Sequence, residues 1–120
     1  MYESGENYLE TILMLKEKHG TVRSIDIARM LNFSKPSVSR AVGILKEDGY
    51  IIVETNGEIE FTQKGKEKAE GIYERHKLLT RFLQEVSKVS AKVAEEDACK
   101  MEHIISDETF QGIKEFMRKL

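Results

Sequence analysis

Toward the end of the chain stand Cys99, Glu102 and His103, spaced i, i+3 and i+4. On a helix these three share one face. A thiolate, a carboxylate and an imidazole on one face make half of a transition-metal site, because each donates well to a divalent first-row ion. The opposite side carries Ala94, Ala98, Met101 and Ile105, a stripe suited to a core. A further imidazole lies upstream. Ala69, Ile72, His76, Leu79, Leu83 and Val86 keep three/four spacing, which turns His76 toward protein and away from water. A hydrogen-bonded core histidine is the competing use of that position. Near the start, Asn7 and Glu10 stand i, i+3, with Glu10 beside the Tyr8/Ile12 stripe. Glu10 turns either inward as a donor or outward as a solvated charge. His19 sits where a cation favours a helix C-terminus, which is its simpler role. A thiol nucleophile at Cys99 is a further alternative, but no HExxH, Gly-rich phosphate loop or oxyanion loop accompanies it, so no enzyme is expected.

These donors need rigid elements. The apolar spacing predicts a helix from about Glu6 to Lys18, with Ser4 as its N-cap and Gly20 beyond its end. A short extended link, residues 21–23, follows. Ser24 is expected to cap a helix from Ile25 to Leu31, and Ser34 one from Lys35 to Glu47 with Pro36 in its first turn. Residues 50–55 and 58–61 are β-prone runs flanking Asn56-Gly57, a strong hairpin signal. Thr62 is expected to cap a long helix over 63–86. Ser90 then caps Ala91–Ile105, and Ser106 caps Asp107–Leu120.

Two short capped helices, a tight turn and a hairpin predict a winged helix-turn-helix. With Val38, Val42 and Leu45 inward, the third helix turns Lys35, Ser37, Ser39, Arg40 and Lys46 outward. Short hydroxyls and cations suit phosphates and base edges in a major groove. The hairpin tip, residues 55–58, carries no Arg or Lys. A protein-interaction or dimer-forming winged helix without DNA contact is the alternative.

The chain has 120 residues, 40% hydrophobic and 33% charged, an ordinary globular balance in one domain or two small ones. No run is long and apolar enough for a membrane span, and the acidic start is unlike a secretory signal. One cysteine makes no internal disulfide, so a reducing cytoplasm is expected. The net charge is −2, and neither half is a basic block: residues 1–62 hold 7 Lys+Arg against 10 Asp+Glu, and 63–120 hold 12 against 11. DNA-binding domains are usually basic. If this one binds DNA, its acids lie away from the duplex or are neutralised.

Residues 97–108, DACKMEHIISDE, closely resemble the iron- and manganese-responsive repressors of the diphtheria-toxin-repressor family. So do residues 6–12, ENYLETI, and TQKG at 62–65 followed by YERHKLL at 73–79. The resemblance covers essentially the whole chain. It implies a mainly α fold with an N-terminal winged helix-turn-helix over 1–62 and a helical metal-binding and dimerisation domain over 63–120. It implies metal ligands at Asn7, Glu10, His76, Cys99, Glu102 and His103. Asn7 stands where the family's iron sensors have Met and its manganese sensors Asp. Cys99 resembles the iron branch and Glu10 the manganese branch. The iron branch's ancillary site lacks its carboxylate, at Thr80, and its histidine, at Glu95. The SH3-like domain of longer relatives has no counterpart in this sequence. Pro36 matches the family's thymine-packing proline, while Arg40 replaces a glutamine of some members. The expected DNA contacts are Ser34, Lys35, Pro36, Ser37, Ser39, Arg40 and Asn56.

The function so implied is a metal-dependent transcriptional repressor. It binds a palindromic duplex operator as a homodimer when Fe²⁺ or Mn²⁺ is present, with no membrane and no small organic substrate involved. On softness, thiolate plus imidazole favour Fe²⁺, Co²⁺, Ni²⁺ or Zn²⁺ over Mn²⁺, so Co²⁺, Ni²⁺ or Zn²⁺ can also bind in vitro. The rival is a metal-independent winged-helix regulator or interaction module with a degenerate site.

Overall fold

The computed structural model describes residues 3–120; Met1 and Tyr2, which open the expected 1–62 domain, lie outside the described residues. The elements are α1 (Glu3–His19), α2 (Ser24–Leu31), α3 (Lys35–Glu47), β1 (Ile51–Val53), β2 (Ile59–Phe61), α4 (Gln63–Val86), α5 (Ala91–Met101) and α6 (Asp107–Arg118). The fold is mainly helical with one small antiparallel hairpin, as the sequence patterns require. The chain packs as two units, Met1–Glu70 and Gly71–Leu120, and the division falls inside α4. No helix among the described residues is long and apolar enough to cross a membrane.

The first unit buries one side chain set from each element. Leu9 and Ile12 of α1, Ile27 of α2, Val38 of α3, Ile51 of β1 and Ile59 of β2 are nearly or fully removed from water. Tyr8 belongs to the same face, its ring tilted against that of Phe33 with centres 6.1 Å apart, and burial pushes its phenol pKa up. In α3 the buried set is Val38, Val42 and Leu45, so a single face anchors the helix. Its cap is the expected one: Ser34 Oγ accepts from Ser37 N–H at 3.3 Å. Ser4 and Ser24 are not caps. Ser4 lies inside α1, and α2 starts one residue early, with Arg23 at its N-cap and the Arg23 N–H donating to Asp26 Oδ2 at 2.9 Å.

The strands are shorter than expected. Ile51, Ile52 and Val53 pair with Phe61, Glu60 and Ile59. Residues 54–58 form the connection, closed by Gly57 N–H to the Glu54 carbonyl at 2.9 Å. Only Gly57 of the Asn56-Gly57 pair takes a positive φ, +89°, so the turn is not the two-residue type that needs both residues left-handed. The hairpin is fastened to the helices. Ile59 N–H donates to the Val22 carbonyl at 2.8 Å, Lys16 pairs with Glu60 at 2.8 Å, and Arg23 approaches Glu58 at 3.9 Å.

The start of α4 is joined to the turn that leaves α3. Thr62 Oγ1 donates to the Gly49 carbonyl at 2.6 Å and accepts from Gly65 N–H at 3.1 Å. Lys64 Nζ donates to the Asp48 carbonyl at 2.9 Å and lies over the Tyr50 ring. The backbones approach so closely that a Cβ on Gly65 would overlap the Tyr50 carbonyl.

The second unit is a helical core of Ile72 and Leu79 from α4, Ala94 and Ala98 from α5, and Phe110 and Met117 from α6. Val86 and Phe116, apolar positions of the expected stripes, are about half exposed. Ser90 and Ser106 cap α5 and α6 as expected. The end of α5 is different: the helix stops at Met101, not Ile105, and Glu102–Ile104 form a turn. Ser106 must be extended to cap α6 (ψ 160°), so the helix has to unwind before it. α6 ends at Arg118, two residues short of expectation.

Candidate metal centre

The early end of α5 changes how its donors are presented. Cys99 is still in the last helical turn, whereas Glu102 is the C-cap and His103 lies in the turn beyond. Of the three candidate donors, Cys99 lies in α5 itself, and the turn beyond it carries Glu102 and His103. Glu102 keeps helical dihedrals (φ −59°, ψ −23°) and its N–H donates to the Ala98 carbonyl. That holds its side chain inward. His76 comes from the buried stripe of α4, between Ile72 and Leu79.

These elements bring a carboxylate between two imidazoles. His76 Nδ1 lies 2.9 Å from Glu102 Oε2 at hydrogen-bonding geometry, and His103 Nε2 lies 3.1 Å from Glu102 Oε1. The Glu102 side chain is 0% exposed, that of His103 1% and that of His76 13%. A carboxylate removed from water needs a counter-charge or a full set of donors. Here Oε1 is buried and, among the described residues, accepts no hydrogen bond of proper geometry. A carboxylate in that condition, with one imidazole nitrogen beside each oxygen, suits a divalent transition ion. The donor types fit Mn²⁺, Fe²⁺ and their neighbours.

Cys99 is exposed overall. Glu10 and Asn7 belong to the first unit, on α1. Glu10 is 6% exposed, so it is buried and not a solvated helix charge. The Asn7 carbonyl accepts from Thr11 Oγ1 at 2.8 Å. His19 is exposed at the end of α1, with Lys16 and Lys18 in the same turn. Thr80 Oγ1 donates to the His76 carbonyl. One residue that spacing did not single out touches the donor turn: the Arg75 guanidinium, next to His76, reaches the Glu102 carbonyl.

On the other unit, Ser34, Lys35, Pro36, Ser37, Ser39 and Arg40 are all exposed, and Val38 between them is fully buried. A hollow of about 310 Å³, lined by Ser24, Ile25, Lys35 and Ser39, opens between the starts of α2 and α3. Asn56 is exposed on the hairpin, with Oδ1 accepting from Glu58 N–H at 3.0 Å. Arg23 places a cation beside Gly57 and Glu58, at the tip itself, which has no Arg or Lys of its own.

Residues 1–58 match the family described as iron dependent repressor, N-terminal DNA binding domain. Residues 62–120 match iron dependent repressor, metal binding and dimerisation domain. An uncharacterised HTH-type transcriptional regulator of Methanocaldococcus jannaschii is 38% identical over 120 residues, covering 99% of this chain and 96% of that one. The diphtheria toxin repressor of Corynebacterium diphtheriae is 31% identical over 108 residues, 90% of this chain and 48% of its own. Among solved structures, the manganese regulator SloR superposes with a TM-score of 0.83 at 27% identity, over 95% of this chain and 53% of that one. The chain thus spans about half the length of the latter two. With both halves matched in order and a near-full-length relative at that identity, the chain belongs to the iron-dependent repressor family, that of the diphtheria toxin repressor, whose members are metal-dependent transcriptional regulators.

Proposed function

We propose that this chain is a cytoplasmic repressor that grips a palindromic duplex operator as a homodimer when Fe²⁺ or Mn²⁺ is bound. Residues 1–62 read the duplex, through Ser34, Lys35, Pro36, Ser37, Ser39, Arg40 and Asn56. Residues 63–120 carry the second unit's donors and the dimer contact. The full donor set is Asn7, Glu10, His76, Cys99, Glu102 and His103. The observation that carries the reading is Glu102: a fully buried carboxylate between His76 and His103, with one oxygen lacking a hydrogen bond among the described residues. When bound, the ion supplies positive charge that neutralises the carboxylates and holds its donors in one arrangement.

Each part of the chain has a task in this scheme. His76 and His103 must stay neutral to donate. Glu10 and Glu102 contribute the negative charge that makes the chain acidic without placing it on the α3 face. In the second unit, Ile104 is 74% exposed and Leu120 63%, with Phe116 and Val93 also exposed, an apolar supply for a second copy. Two α3 helices in a dimer must lie one duplex turn apart, ~34 Å, or a multiple of that. Metal acts through its different affinity for the competent and incompetent arrangements. A coupling of ~1–3 kcal/mol changes operator affinity by ~5–150-fold.

The test begins with duplexes selected from a random pool by the Mn²⁺-loaded protein. Mobility shifts are then run on the selected duplex with Mn²⁺, with Fe²⁺ under reducing conditions, and with chelator. The reading expects a palindromic selected site and a shift that chelator abolishes. A shift equally strong in chelator contradicts metal control, and selection of no duplex contradicts DNA reading.

A further inference from the structure

We propose that Arg75 is a positioning residue of the metal centre: its guanidinium fastens the turn that presents Glu102 and His103, and so sets how tightly that turn holds a divalent cation. The inference rests on the reading of Glu102 and His103 as donors.

The end of a helix leaves carbonyls without backbone partners. At the end of α5 the Ala98 and Met101 carbonyls accept from backbone amides, whereas the carbonyl of the C-cap, Glu102, accepts from a distant side chain. Arg75 Nη1 donates to the carbonyls of Glu102 and Ile105, each at 3.4 Å, and Nη2 to Asp107 Oδ1 at 3.2 Å. The guanidinium also lies over the Phe110 ring, 4.9 Å from its centre, and its side chain is 23% exposed. Each bond is long, but together they let one planar fork grip both ends of the turn that contains His103. Lysine, a single point donor, cannot span these acceptors at once. Arg75 also adjoins His76. One turn of α4 therefore meets Glu102 twice, through an imidazole at its carboxylate and a guanidinium at its carbonyl.

Positioning and charge predict opposite signs. A cation beside a metal site repels the ion, so by charge alone removing Arg75 tightens binding. If Arg75 holds the donors in place, removing it weakens binding, by the ~10–100-fold typical of losing an outer partner of a metal ligand.

The experiment uses the full chain as wild type and as Arg75→Gln, Arg75→Lys, Asp107→Asn and Glu102→Gln. Co²⁺ affinity is read from visible absorption, and amide hydrogen exchange is read on metal-free protein. For Arg75→Gln we expect ~10–100-fold weaker Co²⁺ binding and an altered Co²⁺ spectrum. We also expect faster exchange at Ile104 and Ile105, whose amides bond to the Met101 carbonyl, with Leu79 and Phe110 protected as in wild type. Arg75→Lys falls between, and Asp107→Asn moves the same way by a smaller factor. Unchanged or tighter Co²⁺ binding in Arg75→Gln overturns the inference, provided Glu102→Gln has lost the ion. Should Arg75→Gln fail to fold, Arg75→Lys and Asp107→Asn decide by the same criterion. Wild-type Co²⁺ affinity in Glu102→Gln overturns the donor reading itself, and this inference with it.

Discussion

Replacing Glu102 with glutamine separates a ligand from a structural ion-pair partner, because the two roles predict opposite effects. The side chain is fully buried, with imidazole nitrogens at 2.9 and 3.1 Å. Holding a carboxylate out of water costs several kcal/mol even after relaxation. A charge-assisted hydrogen bond returns ~1.5–3 kcal/mol, and among the described residues only the one from His76 has the right geometry. Removing the charge therefore costs the metal-free protein little. Glutamine keeps the shape, still accepts from His76 and carries no charge. Metal-free Glu102→Gln should be as stable as wild type or up to ~2 kcal/mol more stable. Its Mn²⁺ affinity should fall at least ~100-fold, about 2.7 kcal/mol. Urea unfolding in chelator at pH 8 measures the first quantity, and Mn²⁺ titration followed by electron paramagnetic resonance the second. A variant destabilised by more than ~2 kcal/mol that binds Mn²⁺ normally would refute the reasoning, since Glu102 would then be a structural partner of two histidines and nothing more.

Other perturbations reach the remaining parts of the scheme. Gly65→Ala drives a Cβ into the Tyr50 carbonyl, so thermal unfolding should show a loss of at least ~2 kcal/mol; a wild-type midpoint would mean that the α4 start is not seated as described. Arg40→Ala should relax base preference at one position of the selected duplex, a cost of ~1–3 kcal/mol there. Lys35→Ala, if that cation meets a phosphate, should instead weaken every duplex alike and lower the salt slope by about 1; identical behaviour of the two variants would contradict giving Arg40 a base and Lys35 a phosphate. Metal affinity should fall as the solution is acidified, because protons compete for imidazoles that donate only when neutral. The sign is fixed: lower pH, weaker binding. Flat affinity between pH 7.5 and 5.5 would count against histidine ligation.

Much of this architecture is legible in residue order because the signals are local. Helix α3 begins and ends where expected, since Ser34, Pro36 and Asp48-Gly49 each act within a turn of the boundary. The buried face of α3 follows from apolar spacing alone, and that of α4 does so as far as Leu79. Where the reading failed, the deciding group was remote or of an unexpected type. Cys99, Glu102 and His103 keep helical spacing, but Arg75, 27 residues before Glu102, takes carbonyls there and Ser106 demands an extended backbone. Asn56-Gly57 signalled a two-residue turn, yet Asn56 uses its side chain on the Glu58 amide and the turn opens to 54–58. The α2 start was missed because its capping carboxylate belongs to Asp26, inside the helix, and not to Ser24. The candidate donors were legible as residue types. That Glu102 would lie between both imidazoles depends on how α4 and the α5–α6 turn pack, which no local pattern encodes.

The central claim is that cation occupancy and duplex binding are coupled through this chain, and linkage gives its most direct test. Mn²⁺ affinity is measured twice, for the free protein and for the protein saturated with its selected duplex. If Mn²⁺ tightens duplex binding ~5–150-fold, the duplex must tighten Mn²⁺ binding by the same factor. Equal Mn²⁺ affinities in the two measurements would contradict the account.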